Sequence, residues 1–75
     1  MSLRKKAISE DKAKAMGGVP FSHPCKLENE IWIIENMIKD FNRAGWEYVI
    51  VESTFKSQSA GGVWTKPALE LWKIN

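Results

Sequence analysis

The chain has 75 residues, a formal net charge of +2, 44% hydrophobic and 11% aromatic content, one cysteine and one histidine. A chain this short is one domain at most, and it buries only about 60% of the surface its unfolded form exposes, so its core is marginal. A lone cysteine excludes an internal disulfide, one His with one Cys falls short of a closed zinc site within one chain, and no apolar run approaches the roughly 18 residues of a membrane span.

Residues 1–16 carry Arg4, Lys5, Lys6, Lys12 and Lys14 against Glu10 and Asp11, a balance of +3 that leaves −1 for residues 17–75. Leu3, Ile8 and Met16 make no continuous apolar stripe, so this segment reads as a basic, flexible tail, with Arg4, Lys5 and Lys6 as candidate contacts to an acidic partner. With lysines but no apolar stretch after them, it does not read as a secretory leader, and the single thiol fits the cytoplasm. A single small domain is expected over 17–75.

The stretch "GGVPFSHPCK", residues 17–26, has two glycines and two prolines in ten positions and reads as an irregular connector. A short first strand near 19–22 is compatible with it, because proline is tolerated on a sheet edge. His23 and Cys25 flank Pro24; two copies of the pair would supply a zinc ligand set between subunits, whereas a structural pair in one chain needs nothing further.

From Leu27 the spacing turns helical: Leu27, Ile31, Ile34, Ile38 and Phe41 recur at steps of four and three, widened by Met37 and Ala44. Glu28 and Glu30 fall in the expected first turn and Lys39 and Arg43 near the end, as the helix dipole favours. Gly45 fits the position after the last turn, where a left-handed backbone is needed. Trp32 lies nearly opposite Ile34 and outside the apolar stripe.

Trp46 to Phe55 is a strand by its Val, Ile, Tyr and Phe content, and Ala68 to Ile74 is a second, with Pro67 before it. A turn around Ala60, Gly61 and Gly62 joins them into a hairpin spanning 46–74. The fold class is therefore α+β: one amphipathic helix on a small antiparallel sheet. Alternation divides each strand into two faces, and one helix covers one face. The aliphatics Val49, Val51, Leu69 and Leu71 are expected beneath the helix, and Trp46, Tyr48, Ile50, Trp72 and Ile74 on the open side. That much aromatic surface exceeds what monomers usually expose. A second copy is the favoured cover, with a dimer as the simplest oligomer; the alternative is the N-terminal segment folding back with Val19 and Phe21.

The segment "IKDFNRAGWEYVIVEST", with Asn42, Gly45, Trp46 and Glu47, followed by a Gly-containing turn and the last strand "LELWKIN", resembles a family of short bacterial and phage domains of unknown function. The resemblance covers about residues 27–75 and implies a compact α+β unit of a first strand, one helix and a hairpin. It brings no catalytic residue, and the family's apolar first strand is replaced here by "GGVPFSHPC".

No residue is assigned to catalysis, a cofactor or a metal. The leading expectation is a non-catalytic interaction or regulatory module that self-associates or docks on a protein partner through the aromatic sheet face, with Trp64 near the hairpin tip as a further anchor. The alternative is single-stranded nucleic acid bound through the same face and the basic tail, with Lys56, Lys66 and Lys73 as a rim, against which stand Glu47, Glu52 and Glu70.

Overall fold

The computed structural model describes residues 3–75, so of the segment expected to be a tail, Met1 and Ser2 lie outside it. The elements run in the order α1 (Leu3–Lys6), α2 (Glu10–Ala15), β1 (Gly18–Pro20), β2 (Cys25–Lys26), α3 (Ile31–Ala44), β3 (Tyr48–Ser59) and β4 (Gly62–Ile74). The α+β class expected from the sequence is what the chain adopts.

Strand β4 is the centre of the sheet. On one side it pairs antiparallel with β3, from Tyr48 opposite Lys73 to Ser59 opposite Gly62, without a bulge. On the other it pairs with β1, Gly18 opposite Ile74, and then with β2, Cys25 opposite Leu69. The first strand is thus split by the segment between Pro20 and Cys25. Ser22 repairs the break: its hydroxyl accepts the Leu71 N–H at 2.9 Å, while the Phe21 and Ser22 N–H groups donate to the Leu71 carbonyl at 3.0 and 3.1 Å. Pro67 sits inside β4 without cost to the hairpin. Its carbonyl accepts from Leu27 N–H at 3.1 Å, so its missing donor faces the end of β2 rather than β3.

Helix α3 begins at Ile31, one turn later than the apolar spacing suggests. Leu27 is held at the sheet by that bond to Pro67, and Glu30 closes a loop with Lys26: its carboxylate accepts the Lys26 N–H at 3.0 Å and its own N–H donates to the Lys26 carbonyl at 2.9 Å. Glu28 and Glu30 therefore precede the helix. At the other end Gly45 takes φ 73°, the Trp46 N–H donates to the Phe41 carbonyl at 3.0 Å and the Gly45 N–H to Asn42 at 3.3 Å. This is a Schellman closure, with its accompanying apolar contact supplied by the rings of Trp46 and Phe41, 5.3 Å apart.

The two sheet faces are not divided as expected. Because Ile50 lies opposite Leu71 and Val49 opposite Trp72, Ile50 and Tyr48 share the α3 side with Leu69, Leu71 and Cys25, packed on Ile34 and Phe41. Val49 and Val51 share the opposite side with Trp72, packed on Ala13 and Ile8. Cross-strand register, not the composition of either strand, sets which residues meet.

The expectation of a flexible tail is likewise corrected for residues 3–16. Ile8 bridges the outer edge of β3, donating to Ile50 at 2.9 Å and accepting from Glu52 at 2.9 Å. Ser9 caps α2 by accepting the Lys12 N–H at 3.2 Å, and Ala13 is fully buried on Trp72. Helices of four and six residues do not hold in isolation; the unclaimed apolar face of the sheet supplies what the local sequence lacks.

Candidate interaction surfaces

Of the face expected to be open, Ile50 at 3% and Trp72 at 2% exposure belong to the core. Both side chains pack inside the chain rather than on its surface. Trp72 is also fixed in orientation: its indole N–H donates to the Glu70 carboxylate at 2.9 Å, and the other Glu70 oxygen accepts the Ser53 hydroxyl. Tyr48 and Ile74 are half-buried. The N-terminal fold-back, weighed as the alternative to a second copy, is what covers Trp72, although through Ala13 and Ile8 rather than through Val19 and Phe21.

Two surfaces remain. The first lies at the C-terminal end of α3. Phe41 stands at the centre of an aromatic cluster, meeting Phe21, Trp46 and Tyr48 edge-on at centroid distances of 4.9, 5.3 and 6.1 Å, the geometry that ring quadrupoles favour. Phe21 and Trp46 are only half covered, at 50% and 45% exposure. Together with Met37, Asp40 and Ala44 they line a hollow of about 280 Å³. Lys73 lies over the Trp46 ring at 4.2 Å, and Asp40 at the rim pairs with Arg43 at 3.4 Å. Trp46 reaches this place through the helix closure described above, outside the strand alternation from which the sequence placed it. Phe21 was missed as a site residue; its signal was an aromatic between two prolines, where a strand cannot continue and a side chain need not be buried.

The second surface is the far half of the hairpin. Ile8 is the last residue paired on the outer edge of β3 and β2 ends opposite Ala68, so from Thr54 to Lys66 the two strands run on alone as a ribbon, along a molecule 44 × 25 × 19 Å. On one ribbon face Phe55 and Trp64 have centroids 6.1 Å apart, with Lys26 over Phe55 at 4.9 Å and Lys66 over Trp64 at 5.3 Å. Lys66 is also paired with Glu28, whose carboxyl its hydrogen bond holds below the usual range. Val63 is the most exposed large apolar residue here, at 69%. Trp32, on the back of α3, is exposed.

His23 is exposed and Cys25 fully buried. The Cys25 thiol donates weakly to the His23 backbone carbonyl at 3.5 Å, not to its ring. Burial first, then the charges of Glu30 and Glu70, push the Cys25 pKa up, which is the reverse of nucleophile activation. Among the described residues, no group of three His, Cys, Asp or Glu side chains is placed to hold a metal ion, and no helix is long and apolar enough to cross a membrane.

Comparison with protein-family models, curated proteins and solved structures finds no match to this chain.

Proposed function

We propose that the chain is a non-catalytic interaction module that associates with a second copy of itself through the Phe21–Trp46 cleft. The observation that carries this is the pair of half-exposed rings flanking an apolar hollow, in a chain whose other predicted aromatic face is spent on its own core. A patch that holds both projecting rings and a recess is self-complementary under two-fold symmetry. Charge favours the same end. Beside the cleft Asp40 is paired with Arg43 and Lys73 lies over the Trp46 ring, so two copies meet there without a massed charge of one sign.

Two half-exposed aromatics offer about 200 Å² of apolar surface, well under the ~800 Å² per partner of a stable complex. The dimer is therefore weak and concentration-dependent. Light scattering over a wide concentration range should show mass rising toward twice the monomer value, and Phe21→Ser should remove the rise while leaving the circular dichroism spectrum intact. A monomer at every concentration defeats the reading. A rise that survives both Phe21→Ser and Trp46→Ser places the contact elsewhere and defeats it as well.

A further inference from the structure

Residues 53–69 contain Lys56 and Lys66 and no carboxylate, and they form the ribbon and its base. Four more cations gather at this end. Lys26 lies over Phe55; Arg4 lines a hollow with Glu52, Ser53 and Pro67 where the ribbon leaves the sheet; Lys5 and Lys6 are exposed on the same short helix. The carboxylates nearby are Glu28, paired with Lys66, Glu30, bonded to the Lys26 backbone, Glu70, turned onto Trp72 and Ser53, and Glu52, in the hollow with Arg4. The ring face of the ribbon thus carries Lys26 and Lys66, with Glu28 as the carboxylate beside Lys66, and Lys56 lies on the reverse face opposite Thr65.

We infer that the ribbon is an arm for single-stranded nucleic acid. Aromatic rings give successive bases a surface to stack on while neighbouring lysines neutralise phosphates, and this ribbon brings Phe55 and Trp64 to one face beside Lys26 and Lys66. A single strand suits this better than a duplex, whose bases keep their ring faces in the stack. In the free protein the two lysines rest over the rings. A stacked base is held more strongly than an exposed lysine over a ring, so the strand displaces the ammonium groups, which then reach its phosphates. The surface is separate from the Phe21–Trp46 cleft, and either can be lost without the other.

The test is fluorescence anisotropy of a labelled oligothymidylate of about 12 nucleotides, a matched duplex and a labelled polyglutamate, each titrated with the full chain. The single strand should bind best. With three or four phosphates contacted, raising salt from about 50 to 200 mM should weaken it roughly 20- to 50-fold. Trp64→Ala should weaken it about tenfold by loss of one stacked base, and Lys66→Gln, which removes the ammonium beside the Trp64 ring, should lower the affinity and flatten the salt dependence. Phe21→Ser should leave binding unchanged. Equal binding of duplex or polyglutamate, or insensitivity to Trp64→Ala in a variant that melts as the parent does, would show bare charge attraction and overturn the inference. Absence of oligonucleotide binding overturns it too. So does a ribbon that instead joins two copies, seen as a concentration-dependent mass lost on Trp64→Ala.

Discussion

The substitution Gly18→Ala tests whether α2 is seated on the sheet as described. Gly18 has no positive φ, so alanine suffers no backbone strain there. A Cβ at Gly18, however, would lie 2.9 Å from the Ala13 carbonyl oxygen and 3.3 Å from both Ile74 Cδ1 and Trp72 Cε3. The first of these is backbone, and it yields only if α2 moves off Trp72. Overpacking of this kind costs about 1–3 kcal/mol, against a gain of about 0.4–1 kcal/mol from a stiffer unfolded chain. The net loss of about 1–2 kcal/mol corresponds to a fall in melting temperature of roughly 5–15 °C for a domain of this size. Thermal unfolding followed by circular dichroism reads it directly. Gly61→Ala is the control: its Cβ would meet nothing closer than Ser59 Oγ at 3.9 Å, so only the unfolded-state gain applies and the melting temperature should hold or rise slightly. If Gly18→Ala behaves like Gly61→Ala, residues 10–15 do not pack against Gly18 and Trp72, and the account of the second core layer fails.

Trp72→Ala should cost about 3–5 kcal/mol, most of the roughly 4–11 kcal/mol that 75 residues typically supply; a cooperative melt above 40–50 °C of the kind mesophile domains show would mean that the indole is not the pillar between the sheet and α2. Gly45→Ala meets no atom within 4 Å but must hold φ 73°, so its loss of about 1–2 kcal/mol is purely conformational, and a neutral result would argue against the Schellman closure. Cys25 gives a pH prediction. Its pKa is raised on folding, so the folded chain holds the thiol proton more tightly than the unfolded chain; stability is full below the ordinary thiol pKa of about 8.5 and declines as pH rises above it toward the raised value. Urea midpoints across that range should fall more steeply for the parent than for Cys25→Ala, and parallel profiles would refute the buried thiol.

Much of the fold was written in local patterns. The four-and-three spacing from Ile31 to Phe41 needs only a helix with one buried side, the Gly45 closure needs only a residue free to take a left-handed backbone, and the Ala60–Gly61 turn between two strand-forming runs needs only a hairpin. Each of these is decided within a few residues of chain. The candidate sites were less legible for the same reason. Trp46 and Trp64 were identifiable as large aromatics near chain reversals, but Phe21 became a cleft wall only because Ser22 closes a broken strand against Leu71, across 49 positions of sequence.

What the sequence by itself determined, then, is the α+β class, the helix end, the hairpin and an excess of apolar side chains over what one helix can cover. The tertiary structure alone decided which of those side chains face which cover. Pairing Ile50 with Leu71 rather than with a neighbour one step along sends Tyr48 and Ile50 under α3 and Val49, Val51 and Trp72 to the other side, because a one-residue slip exchanges the two faces. That choice created the bare surface on which Ile8 and Ala13 settle. Residues 3–16 carry too little helical stability to order themselves, and they are ordered by a hydrophobic face assembled from strands more than thirty positions away.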